Sequence, residues 1–243
     1  MSALLPAAEE LWGEEPKFLF LDEIQLMPGW SKWLRRIHET TDIKLFVTGS
    51  NSKMSSHEIP TELRGRFIEQ KVFPLSFREF LSFRNFDLDE KYLVHDQKQL
   101  AHVKRLLREY LSLGGLPEVV LADDSLKDDI VQSYFRTVVS RDIMELHRVR
   151  NDRVLKLLLK MLLNGKEYTV NKLYNTLKSM QHEIGKATIQ QYIGYAEDAY
   201  FMRSVHAFSH SIKDATKHPR KLYCVDNSFL RFVSTKFSHD TGR

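Results

Sequence analysis

The chain has 243 residues, 42% of them hydrophobic, with 36 basic against 32 acidic side chains and a formal net charge of +4. That length buries a sizeable core in one or two domains. With one cysteine, Cys224, a disulfide within the chain and a thiolate metal site are excluded. No run approaches the roughly 18 apolar residues of a membrane span, and Met1 to Pro6 lacks the basic start and apolar centre of a signal peptide, so a reducing, cytoplasmic setting without membrane contact is expected.

In chain order, Ala3 to Trp12 carries a weak helical pattern (Leu4, Leu5, Ala8, Leu11, Trp12) that Gly13 and Pro16 break. Phe18-Leu19-Phe20-Leu21 follows. Four consecutive apolar residues are too few for a helix and too uniform for a half-exposed strand, which predicts a central parallel strand buried on both faces. Asp22 and Glu23 come next, at the carboxyl end of the strand, where open α/β sheets bind ligands. An acidic pair there suits phosphate chemistry run through Mg²⁺. Asp22 is the candidate to hold the ion or its water shell, and Glu23 to orient an attacking water. An acidic turn with no such role is the competing reading of the same residues.

An amphipathic segment (Trp30, Trp33, Leu34, Ile37) leads to a second apolar strand, Ile43 to Val47, which ends in Thr48-Gly49-Ser50-Asn51-Ser52. Those polar residues are either a plain turn or a second set of ligands beside the first. Leu63-Arg64-Gly65-Arg66 offers two arginines on a loop. Pro74 then stops the chain, and Ser76-x-x-Glu79 has the spacing of a capping box opening a short helix. The polar joint from Asn85 to Glu90 closes this first part at about residue 84.

From Lys98 to Leu113, apolar residues recur at helical spacing until Gly114-Gly115 and Pro117 end the helix. A second amphipathic helix spans about Leu126 to His147 and completes a lid-like bundle over 85–150. Within it, Arg141-Asp142 reads as a surface ion pair or an intersubunit or nucleotide contact. From Asp152 the order is helix, short helix starting at Thr169, helix from about Lys186 to Ala199, then the strand-like Tyr200 to Phe208. Three short helices and a hairpin are the layout of a winged helix over 151–220. Thr188, Gln190 and Gln191 then lie near the start of a recognition helix, and Lys213, Lys217 and Arg220 flank the wing. Protein packing and salt-dependent DNA contact both stay open, because Glu197 and Asp198 also sit on the third helix. Lys221 to Val225 reads as a last strand, opening a final segment over 221–243.

The ordered set of LDEIQ at 21–25, W-x-x-W-L at 30–34, VTGSNS at 47–52, ELRGR at 62–66 and PLSFREF at 74–80 resembles the prokaryotic AAA+-type P-loop ATPases that carry the domain of unknown function DUF4143. The resemblance continues through Tyr110-Leu111-x-x-Gly114-Gly115-Leu116-Pro117-Glu118, Ser140-Arg141-Asp142-Ile143 and Lys221-Leu222-Tyr223-x-Val225-Asp226. It implies an α/β N-terminal remnant of a P-loop parallel sheet, followed by a mostly helical region with a winged-helix unit. It also implies that ATP and Mg²⁺ are cofactors, that Asp22-Glu23 is a Walker B pair, and that Ser50 or Asn51 senses the terminal phosphate. Arg66, preferred over Arg64, is implied as an arginine finger supplied in cis or by a neighbouring copy in a homo-oligomer.

One element of that family pattern is missing from the sequence. The phosphate loop G-x-x-x-x-G-K-[ST] does not occur, and the 17 residues ahead of Phe18 are fewer than the roughly 30 of a βαβ unit. The Gly185-Lys186-Ala187-Thr188 run has Met180 in place of the first loop glycine. Weak or no ATP binding by this chain alone is therefore expected. A late start, a fragment and a decayed copy all remain explanations. The nuclease-like domain that follows in the family would be reduced here to its first strand. The alternative to an ATPase is a non-catalytic winged-helix module that binds DNA or protein.

Overall fold

Phe18–Leu21 forms β1 and pairs in parallel with β2, Lys44–Val47, in a register that sets Phe18 opposite Lys44 and Leu21 opposite Val47. The structure is a computed structural model and describes residues 4–50, 63, 65–88, 96–209 and 218–233. It divides into two compact units, Met1–Lys71 and Val72–Arg243. The first holds α1 (Leu4–Trp12), β1, α2 (Trp30–Thr40) and β2. Helix α2 presents Trp33, Leu34 and Ile37, spaced three and four apart, and they bury against Leu19, Leu21 and Leu45 of the strands together with Ile24 and Ile43.

The expectation of a strand buried on both faces is corrected here. Phe18 and Phe20 are 52% and 71% exposed, and Phe46 beside them is 49% exposed. Among the described residues β1 has one strand partner and α2 covers one face, so the alternation of a half-buried strand is present but hidden in an all-apolar run. The open face carries a short aromatic ladder: the Phe20 and Phe46 rings stack at 4.8 Å and Phe18 leans on Phe46 at 6.4 Å. Helix α1 forms where the apolar spacing places it, with no buried residue.

The second unit begins ahead of the joint expected at residue 84. Ser76 caps α3 (Phe77–Phe83): its hydroxyl accepts from the Glu79 N–H at 3.4 Å, while Glu79 accepts from the Ser76 N–H at 2.7 Å. The Ser76 N–H, with the Ser76 hydroxyl that also donates to the carboxylate at 2.7 Å, holds the Glu79 carboxyl below its usual range. Phe80 and Leu81 of α3 bury against Leu106 of α4 (Gln97–Leu113) and Val120 of α5 (Pro117–Leu121), so α3 packs with the helical region. Helix α6 (Asp124–Thr137) then widens into a π-helix over Val138–Glu145 where an unbroken α-helix was expected, and Arg141 and Asp142 lie in it.

The main core runs from Val119 to Phe229 without a break at residues 150 or 220. At its centre is α7 (Asp152–Asn164), capped by the Asn151 side chain, with Leu155, Leu158 and Leu159 wholly buried. Strand β3 (Glu167–Tyr168), α8 (Val170–Ser179), α9 (Lys186–Asp198), β4 (Met202–Val205), β5 (Arg220–Cys224) and α10 (Ser228–Val233) follow. The sheet order is β3-β5-β4, antiparallel throughout.

Three stretches of the family pattern meet inside this unit. The Asp226 carboxylate, 5% exposed, accepts from the Gly115 N–H at 2.7 Å and the Ser228 N–H at 2.9 Å. The Gly115 carbonyl accepts from the Leu75 N–H at 2.7 Å, and the Leu75 carbonyl accepts from the Tyr110 hydroxyl at 2.8 Å. Pro74-Leu75, Gly114-Gly115 and Val225-Asp226 thus form one hydrogen-bonded junction. Burial, with the Asp226 and Glu79 charges, holds the Tyr110 phenol above its usual range, which keeps it a donor.

Cys224, just before that junction, donates its thiol to the Phe201 carbonyl at 3.4 Å, and burial pushes the thiol up to about 12 from 9.0. The folded chain should therefore react slowly with DTNB at pH 8 and the unfolded chain at once. An unfolded thiol ionises near pH 9 while the folded one keeps its proton, so this contribution to stability is complete below about pH 9 and is lost as pH rises towards 12. Urea titrations at pH 8 and pH 10 check it, the midpoint falling at the higher pH.

Candidate functional site

Equal strand lengths and the parallel register bring the ends of β1 and β2 level, so the residues after Leu21 stand beside those after Val47. The backbone fastens the two ends together. Thr48 N–H donates to the Leu21 carbonyl at 2.9 Å, and the Ile24 N–H donates to the Thr48 carbonyl at 3.2 Å. The buried Ile24 side chain anchors the turn that follows.

Between those fastenings sit the two acids. Thr48 Oγ1 donates to Asp22 Oδ1 and itself accepts from the Glu23 N–H at 3.2 Å. Ser50 Oγ donates to Glu23 Oε2 at 3.1 Å. Glu23 itself adopts φ 50, ψ 44, a left-handed conformation that a non-glycine residue holds at a cost of about 1–2 kcal/mol. The strain turns the chain sharply after Asp22, so that two consecutive acids are held by partners on one neighbouring strand end. Asp22 is exposed, whereas Glu23 and Ser50 are half-buried.

Asp22, Glu23 and Ser50 are thus gathered as the sequence reading grouped them. Arg66 lies in a bend after Leu63 and reaches α2: its guanidinium is 3.7 Å from the Glu39 carboxylate, which also accepts from Arg35 Nε at 2.9 Å. The Arg35 hydrogen bond, with the charges of Arg35 and Arg66, holds the Glu39 carboxyl below its usual range. Asn51, Arg64, Lys213 and Lys217 lie outside the described residues. Thr48, the residue that ties the acids together, was read only as the start of a polar turn. Its signal was the register: two four-residue strands in parallel make Thr48 the neighbour of Asp22.

The donors are all hard oxygens, two carboxylates and two hydroxyls, which suits Mg²⁺ and leaves softer metals without a preferred ligand. Among the described residues no group of three or more His, Cys, Asp or Glu side chains gathers around a point. An ion held here would complete its shell with water and ligand oxygens, as Mg²⁺ does with phosphates.

Comparison with known proteins gives two matches along the chain. Residues 2–81 match the family model of an AAA domain, and residues 104–240, more than half of the chain, match the domain of unknown function DUF8612. The chain belongs to the DUF8612 family. Its residues 2–81 are similar to an AAA domain, and DUF8612 stands where DUF4143 was expected. An uncharacterized protein of Methanocaldococcus jannaschii is 36% identical over 230 residues, 93% of this chain and 50% of that protein. One from Haemophilus influenzae is 33% identical over 225 residues, 92% of this chain and 54% of that protein. The DUF8612 chain thus spans about half the length of the curated relatives it matches. It shares its fold with the Walker-type ATPase PABY2304 of Pyrococcus abyssi, at a TM-score of 0.52 and 15% identity over 94% of this chain and 65% of that one.

Proposed function

We propose that the carboxyl ends of β1 and β2 form the acidic half of an Mg²⁺–ATP site, and that the protein to which this DUF8612 chain belongs binds and hydrolyses ATP. The observation that carries the proposal is the fastening of Asp22 and Glu23 to Thr48 and Ser50 at level strand ends. Asp22 would hold Mg²⁺ directly or through its water, and bound Mg²⁺ would neutralise charge on the phosphates. Glu23 would accept a proton from, and orient, the attacking water. Ser50 and Asn51 would meet the terminal phosphate, and Arg66, freed from Glu39 or supplied by a second copy, would offset charge as it develops.

Because the sequence contains no phosphate loop, affinity in this chain is expected near a Kd of about 1 mM, about −4 kcal/mol. The test is a titration of the ¹⁵N-labelled chain with Mg²⁺–ATP, following the amides of Asp22–Leu26 and Thr48–Ser50. Saturating shifts confined to those amides, and weakened at least about tenfold by Asp22→Asn, are expected. Identical shifts in wild type and variant, or none, would remove the assignment.

A second reading concerns residues 152–224. The order α7-β3-α8-α9-β4-β5 with the sheet arranged β3-β5-β4 supports a winged helix, in which α8 and α9 are a helix-turn-helix pair and β4–β5 the hairpin. This would make the unit an interaction module. Interstrand NOEs from Tyr168 to Arg220 and from Arg203 to Tyr223 test the topology directly.

A further inference from the structure

On the helix pair α8–α9, two positive charges converge on one aromatic ring. Lys178 Nζ lies 5.9 Å from the centroid of the Tyr174 ring, and Lys186 Nζ lies 5.3 Å from the same centroid. Both lysines are exposed, and among the described residues neither has a carboxylate partner. Each ammonium is attracted to the face of the ring, while the two repel one another. Gathering like charges in this way raises the local potential for an anion. Between residues 170 and 191 the chain carries three lysines, Lys172, Lys178 and Lys186, against one acid, Glu183. A shallow cavity of about 410 Å³ opens beside the ring, lined by Tyr174, Lys178, Gln181, His182, Glu183 and Ile184.

The neighbouring surface of α9 has a matching chemistry. Ile189, Tyr192, Ile193 and Ala196 are buried, so the exposed face carries Lys186, Ala187, Gln190 and Gln191, spaced one, four and five apart. Two adjacent glutamines supply both donors and acceptors, as hydrogen bonds to base edges in a major groove require, and an alanine between them and the lysine keeps the approach clear. An acidic protein surface would be met by the lysines but gives the glutamine face no particular partner.

We propose that the α8–α9 pair docks on duplex DNA, with Lys178 and Lys186 on backbone phosphates and Gln190 and Gln191 turned to the major groove. The proposal rests on the winged-helix reading and adds to it the partner and the contacting residues. Most of the affinity comes from the phosphates and is therefore salt-dependent, with weak discrimination among sequences.

Fluorescence anisotropy of the full chain with a labelled random-sequence duplex, read at several salt concentrations, tests it. The wild-type chain should bind with a linear fall of log K against log salt. The Lys178→Ala/Lys186→Ala double variant should lose about tenfold to a hundredfold in affinity at low salt, and its slope should shrink by about two. Lys178→Arg/Lys186→Arg should keep binding, and Lys156→Ala, which removes an equal charge from the exposed pair with Asp152 on α7 at 3.3 Å, should leave it unchanged. No duplex binding by the folded wild-type chain at low salt would overturn the proposal and assign the face to a protein. A double variant with wild-type affinity and slope would also overturn it, by moving the contact elsewhere. A failure of the winged-helix reading is separate, since it appears as missing interstrand NOEs whatever the duplex does.

Discussion

Gly115→Ala is expected to lower the stability of the second unit by about 4 kcal/mol or more, the upper range for a single substitution. An added Cβ would lie 2.3 Å from the Leu75 carbonyl oxygen and 3.0 Å from its nitrogen. Both are backbone atoms, so no rotamer change relieves the clash. The Leu75 backbone is held in turn by the Gly115 carbonyl and the Tyr110 hydroxyl, and moving it would break both hydrogen bonds. Urea unfolding followed by far-UV circular dichroism checks the loss. Gly194→Ala, inside α9 with nothing within 4 Å of the new methyl, serves as the control and should be neutral or stabilising by up to about 1 kcal/mol.

Asp226→Ala is expected to cost about 2–5 kcal/mol, because it leaves the Gly115 and Ser228 N–H groups buried without an acceptor. Asp226→Asn keeps one acceptor oxygen and should cost less than the alanine. A second contact makes this prediction sharper. A Cβ on Gly114 would fall 1.8 Å from Asp226 Oδ1, so the carboxylate occupies the space that the missing side chain leaves. Gly114→Ala should therefore be more damaging with Asp226 present than with Asp226→Ala. A residual penalty would persist in both backgrounds, because φ at Gly114 is +80. A coupling of at least about 1 kcal/mol in the double-mutant cycle is expected. Additive costs would show that the carboxylate and the glycine act independently.

What could be read from the sequence was local. The Ser76 capping box, the helix start at Thr169 and the α9 boundaries follow from short-range chemistry that needs no tertiary partner. Asp22, Glu23 and Ser50 could be grouped from the sequence because strand ends and polar turns are legible as pattern. Thr48 was not singled out because its hydrogen bonds to the two acids exist only across a strand pair, twenty-five residues from Glu23. The Gly114-Gly115 run was read as a helix stop, which it is. Its second role depends on Asp226, 111 residues away from Gly115. The burial of β1 was overestimated for a related reason: an all-apolar run does not say how many neighbours the strand has, and Phe18 and Phe20 face outward. The widening to a π-helix over Val138–Glu145 had no sequence signal, since the apolar spacing there fits an α-helix.

The two-stranded sheet of the first unit has a further consequence for how occupancy and folding are related. Among the described residues the sheet of this unit is a pair of four-residue strands covered by α2, and a two-stranded sheet by itself is only marginally stable in water. The acidic turn lies at the tip of that arrangement, and a molecule that binds only its ordered form adds its own binding free energy to the unit's cohesion. Were such a molecule to bind, its concentration would help to set how much of the first unit is folded.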